Sequence, residues 1–311
     1  VAAHLGRPQQ QLHAQTAAQG GGGPRAVRDA RVADGKPALS ASWLRRYVAL
    51  PAEHGAWFFL LGPLAVGYVA GGTWRVTSSY LLVAALAAFL IRQPLTLAVK
   101  ALTGRRSRDV LPAAVFWTLI YGAVCALHVL GLVLRGFGYL LWLALPALPV
   151  FAWYLWLVAR RAERRRWLVE VAGAGNLALA APAAMWIGLG RPDPAGWTLW
   201  LLTWSHSIAA IAQTYLRLEQ RGLREMPPPG RRLRGGAVPL GFAWASVAAV
   251  SALSLAGALP RWTFAAFLVQ ALETTRTVAR PEPRLKPRQI GLRQLAVSVA
   301  FTVLLAWAWI R

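Results

Sequence analysis

The chain has 311 residues, 57% of them hydrophobic and only 14% charged, with a mean hydropathy of +0.43. So low a charge content lies outside the range of soluble globular domains. The net charge of +23 would suggest a nucleic-acid binder in a soluble protein. Here the basic residues form five clusters cut apart by apolar runs, with no basic face interleaved with aromatics, which excludes nucleic acid as a partner.

Taken in order, residues 1–42 read as a disordered basic tail: Gln9, Gln10 and Gln11, then Gly20 to Gly23, with scattered arginine and no apolar run. No signal peptide is expected ahead of the first apolar segment, and Val1 in place of Met suggests an alternative start or a fragment. Residues 43–311 read as one transmembrane helical domain. Apolar stretches of spanning length occupy 54–73, 79–98, 111–134, 138–159, 168–189, 196–216, 237–258, 262–279 and 293–310.

The breaks between these stretches are alternately rich and poor in arginine. The poor ones hold a single arginine each, Arg75, Arg135, Arg191 and Arg261, and the C-terminus holds Arg311. By the positive-inside rule this predicts an all-α polytopic bundle of about nine spans, N-terminus cytoplasmic and C-terminus outside, in a bacterial inner (cell) membrane. Its partners would be membrane lipids with anionic headgroups; the sequence names no protein partner. Cys125, the sole cysteine, lies inside an apolar stretch and carries no information about compartment.

Ten of the sixteen tryptophans fall near span ends, Trp43, Trp57, Trp74, Trp117, Trp142, Trp167, Trp197, Trp262, Trp307 and Trp309, as an aromatic belt requires. Gly67 and Gly71 have the small-xxx-small spacing that allows two helices to approach closely.

Polar groups in hydrocarbon are costly unless paired or hydrated, so their placement is informative. Glu53 and His54 open the first stretch, Arg92 and Gln93 approach the end of the second, and Glu170 and Asn176 lie early in the fifth. Gln213, Tyr215, Arg217 and Glu219 close the sixth; Gln270, Glu273 and Arg276 close the eighth, and Lys286 follows it. All lie toward the arginine-rich side. Two readings fit: interfacial residues that snorkel, or a cytoplasm-facing polar pocket. Glu273 and Arg276 are spaced i,i+3, as a self-neutralising pair would be. His128 and His206 stand in apolar surroundings and read as core histidines.

The segment Leu50-Pro51-Ala52-Glu53-His54-Gly55-Ala56-Trp57 resembles the opening motif of the YwiC-like family of bacterial integral membrane proteins. Arg92 with Pro94, and Lys286-Pro287 with Ile290-Gly291, are also similar to that family. The resemblance implies a membrane bundle over about residues 43–311 and no particular reaction. In physical terms, Pro51 suits a first helical turn, Glu53 complements the positive helix end, and His54 sits where free N–H groups meet an anion.

The nine-span architecture also resembles UbiA-type intramembrane prenyltransferases, which the resemblance would have hold magnesium with aspartates at the ends of spans two and six. The corresponding places here, 92–100 and 213–219, contain no aspartate. No metal site, cofactor or magnesium-dependent prenyl transfer is therefore expected. No Walker loop, His-Glu-x-x-His, Cys-x-x-Cys or Gly-x-Ser-x-Gly occurs.

Three functions stay open. One is binding, or degenerate UbiA-like transfer, of an anionic lipid or isoprenoid-type ligand, with His54 or Glu170 as acid or base and Arg92, Gln93, Asn176, Tyr215, Arg217, Glu273, Arg276 and Lys286 as ligand-binding residues. The second is a small-molecule transporter or permease, with His206, Asn176 and Glu273 on its path. The third is a non-catalytic membrane component. The sharpest expectation is that His54, Arg92, Arg276 and Lys286 converge on one cytoplasm-facing pocket for an anionic group.

Overall fold

The computed structural model describes residues 46–50, 54–162, 167–223 and 225–310. The tail expected over 1–42, Trp43, Glu53 and the side chain of His54 lie outside the described residues. Among the described residues every regular element is helical, so the chain is all-α. The α-helices are α1 (Arg46–Ala49), α2 (His54–Gly71), α3 (Val76–Leu102), α4 (Leu111–Leu132), α5 (Ala144–Ala159), α6 (Trp167–Ala178), α7 (Ala180–Leu189), α8 (Pro194–Gln220), α9 (Pro229–Leu255), α10 (Thr263–Ala279) and α11 (Pro287–Ala308).

Each of the nine apolar stretches falls on helix, with three informative departures. The run Arg108–Ala159 is helical for 52 residues, about 78 Å if straight and far more than a bilayer needs. Gly136, at φ 89°, reverses it. Only glycine adopts that backbone without strain, so α5 runs back in the direction opposite to α4, and both pack on α3. The stretch 168–189 is split at Leu179 into α6 and α7. The cause is Pro182, which has no N–H to give the Ala178 carbonyl; the Leu179 N–H turns instead to the Asn176 carbonyl at 3.2 Å. Finally, α9 and α11 begin several residues before their apolar stretches, so Arg231, Arg232, Arg234 and Arg288 are carried on helix. Arginine is a good helix former whose long stem reaches past the turn it sits on.

Successive apolar stretches alternate in direction, α6 and α7 together making one of them. At one end of the bundle the Arg75 side chain donates to the Gly188 carbonyl (3.4 Å), the Tyr139 hydroxyl to the Trp186 carbonyl (3.2 Å), and the rings of Trp262 and Trp307 meet. At the other, Arg105 donates to the Val158 carbonyl (2.6 Å), Tyr215 to Glu170 (2.9 Å), and Arg232 to the Ala279 carbonyl (3.1 Å). The single-arginine breaks at Arg75, Arg135, Arg191 and Arg261 gather at the first end, and the arginine-rich breaks at the second.

Among the described residues, five helical runs are long and apolar enough to cross a membrane: Val76–Leu102, Arg108–Ala159, Trp167–Leu189, Pro229–Leu255 and Pro287–Ala308. Trp57–Gly71 is a shorter apolar helix. The outward faces of α4, α5 and α9 carry large exposed apolar side chains, among them Leu119, Leu127, Leu145 and Val238, as a lipid-facing surface would. At the centre, α7 is buried along Ala180–Gly188. It is reached by α2 through small residues: a Cβ on Gly67 would stand 2.8 Å from the Ala184 Cβ, and one on Gly71 would stand 2.9 Å from the Met185 carbonyl. The tryptophans divide accordingly. Trp74, Trp142, Trp262 and Trp307 are exposed near helix ends, whereas Trp309, assigned to the belt from its position, is buried against Leu305 and its neighbours.

Because nothing in α2 can yield at that contact, Gly67→Ala should lower stability by about 1–3 kcal/mol, as overpacking does. Gly173→Ala, whose new methyl meets nothing within 4 Å, should be neutral or slightly stabilising. Thermal unfolding of both variants in detergent checks this; equal midpoints would refute the close α2–α7 contact.

Candidate functional site

The polar residues of α8, α10 and α11 face one another and form a buried seam. On α8, Thr203, His206, Ser207, Gln213, Arg217 and Gln220 are all buried, and their separations from Thr203, by 3, 4, 10, 14 and 17 residues, put them on one helix face. Gln270, Thr274 and Thr277 are placed alike on α10. Gln270 donates to the Gln213 side chain, Gln213 to the Thr277 hydroxyl (3.0 Å), Gln294 to Gln270 (3.2 Å), and Gln220 to the Thr277 carbonyl (3.1 Å). Each side-chain amide has four hydrogen-bonding positions. Pairing amide with amide therefore satisfies groups that lipid could not.

At its arginine-rich end the seam closes in a cluster of charges. Arg217, 5% exposed, donates to Glu273 at 2.6 Å. Arg276 lies 3.6 Å from both Glu273 and Glu282, and Arg293 donates to both Glu282 oxygens at 2.7 Å. The Arg293 hydrogen bond holds the Glu282 carboxyl below the ordinary glutamate range. Three guanidinium groups thus share two carboxylates. Arg276, with its side chain 53% exposed, is the most weakly held of the three.

The structure brings some expected residues together and separates others. Arg217, Glu273 and Arg276 meet, but Glu273 is spent first on Arg217, so the i,i+3 pair is the looser contact. Tyr215 lies two positions from Arg217, on another face of α8, and holds Glu170. Asn176 donates to the Ala147 carbonyl (2.9 Å), joining α6 to α5. Gln93 donates to the Tyr47 carbonyl (3.0 Å). Arg92 is exposed and lies over the Tyr154 ring at 4.8 Å. Its helix, α3, packs on α4, α5 and α7, whereas α10 packs on α9, α11 and α8. Lys286 is exposed at the N-cap of α11. His54 begins α2.

His206 is the residue whose surroundings differ most from the sequence reading. It is buried in the middle of α8, with Nε2 3.1 Å from the Ser298 hydroxyl and its ring stacked on Phe301 at 3.8 Å. Its Nδ1 is buried without a partner. A core histidine is correct as to burial and incorrect as to satisfaction. His128, by comparison, bonds the Val124 carbonyl through Nδ1 at 2.8 Å. Glu282, Arg293, Gln294 and Ser298 were not singled out from sequence. The repeat of Gln and Thr at three- and four-residue spacing on α8 and α10 was the available signal.

Comparison with known proteins bears on α2 through the first half of α7. The family model described as YwiC-like protein matches residues 50–185. The chain is 29% identical over 155 residues, 49% of its length, to the uncharacterized protein YwiC of Bacillus subtilis (strain 168). It spans 59% of the length of that relative. No solved structure matches the chain. From the Pro51–Trp57 motif through α2 and into α7, over residues 50–185, the chain is similar to the YwiC-like family.

Proposed function

We propose that this is a multi-pass protein of the bacterial cell membrane, with the arginine-rich end of the bundle in the cytoplasm. It binds an anionic lipid headgroup at the charged cluster of α8, α10 and α11. The observation that carries this reading is the imbalance of Arg217, Arg276 and Arg293 against Glu273 and Glu282 within one joined network. A phosphate or carboxylate supplies the missing charge, with Arg276 free to turn toward it and Lys286 near by in sequence. A diphosphate of isoprenoid type has the same chemistry. Transfer of such a group in the manner of UbiA-type enzymes gains little from the geometry, because Glu170, the candidate acid or base, is held by Tyr215 on another face of α8.

A second reading, a carrier of small molecules, is favoured by one observation. His206 and Glu273, both assigned to a translocation path, lie along the same face-to-face polar seam, one mid-helix and the other at its charged end.

Sidedness is checked with reporter fusions. Fusions near Arg105, Arg165, Arg232 and Arg284 should report cytoplasm, and those near Gly136 and Arg191 the outside. One reversed signal would overturn the assigned orientation.

Lipid binding is checked by native mass spectrometry of the detergent-solubilised chain with phosphatidylglycerol and phosphatidylcholine. Arg276→Ala should weaken retention of the anionic lipid about fivefold, the effect of one cation near a lipid surface. Arg92→Ala, whose side chain sits over Tyr154, should leave retention at the cluster unchanged. Equal retention in wild type and Arg276→Ala would dispose of the headgroup site.

A further inference from the structure

A small cavity lies among α2, α8 and α11, lined by Phe58, Phe59, Gly62, Thr203, His206 and Phe301 with their neighbours. It sits near the middle of all three helices: His206 is halfway along α8, Pro63 halfway along α2, and Ser298 halfway along α11. Its walls are apolar rings, but three features of its polar groups point to an occupant.

The first is the His206 Nδ1, buried and without a partner, while Nε2 is engaged by Ser298. Whichever ring nitrogen carries the proton, one hydrogen bond is missing, at a cost of about 1–3 kcal/mol if nothing fills it. The second is the Phe59 carbonyl. Pro63 stands four residues on, where an N–H would close the helical bond, and proline has none. The third concerns the hydroxyls: Thr203 gives its hydrogen to the Leu199 carbonyl (2.8 Å) and Ser207 gives its own to the Thr203 carbonyl (2.9 Å). What they present to the cavity is lone pairs.

We propose that this cavity is a binding site for a single water-sized hydrogen-bonding ligand, water itself in the resting protein, held by His206 Nδ1 and by acceptors of α2 and α8. Water both donates and accepts, so it completes either tautomer of the imidazole while donating to a neighbouring oxygen. The space suffices for about one such molecule. The site gives the bundle a polar station halfway between its two ends. From there the seam of Gln294, Gln270 and Gln213 continues toward the charged cluster, whereas Phe267, Phe301 and Leu305 close the other direction with apolar side chains.

X-ray hydroxyl-radical footprinting of the full chain in detergent tests this, since radicals formed from an internally bound water oxidise the rings beside it. Phe301 should be oxidised well above Phe89, which is also buried but lines no part of the cavity. Gly62→Ala leaves His206 in place and fills the space: the new methyl would stand 3.0 Å from the Phe58 ring and 3.1 Å from the Thr302 hydroxyl. In that variant Phe301 oxidation should fall to the Phe89 level. Phe301 labelled no faster than Phe89 in the wild type would show a dry cavity and overturn the proposal, whether or not the variant folds. Unchanged Phe301 labelling in folded Gly62→Ala would overturn it as well.

Discussion

The close approach of α2 to α7 is the constraint on which the rest of the bundle depends. Gly67 and Gly71 on one helix meet Ala181, Ala184, Met185 and Gly188 on the other, with no room for a methyl between them. In hydrocarbon there is no hydrophobic drive to press helices together, so close packing of small residues has to supply the attraction. Once α7 is seated against α2 it is covered on all sides, and α3 and α8 take up positions on its flanks. The proline that splits α6 from α7 lets the two halves of that segment follow different neighbours: α6 runs along α8, and α7 along α2.

The second organising element is the polar seam. Buried amides and hydroxyls of α8 and α10 would be expensive against lipid, and they are tolerable because the amides bond across the seam while Thr203, Ser207 and Thr274 give their hydrogens to carbonyls of their own helix. The same requirement orients both helices, since a rotation of either by one residue would turn Gln213 or Gln270 outward. The polar content that keeps α8 and α10 from reading as simple apolar spans is thus what holds them in the bundle. Along this face His206 Nδ1 and Gln220 Oε1 are buried without a partner among the described residues, and His206 lines a cavity, which is why that cavity carries functional weight.

A single pocket uniting Arg92 with Arg276 was a reasonable expectation from depth alone, since both lie toward the arginine-rich end. Depth, however, leaves azimuth open. Arg92 is carried on α3, beside α5 and Tyr154, while Arg276 belongs with Glu273 and Glu282 on the other group of helices. Arg92 therefore lies over an aromatic ring, whereas Arg276 belongs to a networked cluster with excess positive charge. These two kinds of arginine would meet a headgroup differently: one is fixed by a ring face, the other released from a shared carboxylate.

Much of the architecture was legible in the sequence. Apolar length and the alternation of arginine-rich breaks sufficed for an all-α chain whose apolar stretches alternate in direction, because those properties depend on local composition and on one repeated rule. The spacing of Gly67 and Gly71 marked a helix contact for the same reason. The sequence alone did not say which helix they met, nor that Arg217 rather than Arg276 would take Glu273, nor that Glu282 and Arg293 would join them. Those pairings link positions up to 56 residues apart. They follow from the rotation of each helix about its axis, which is set only when every neighbour is packed. The same is true of His206: its burial could be read from apolar flanks, but a missing hydrogen bond is a property of the space around it, and only the assembled helices create that space.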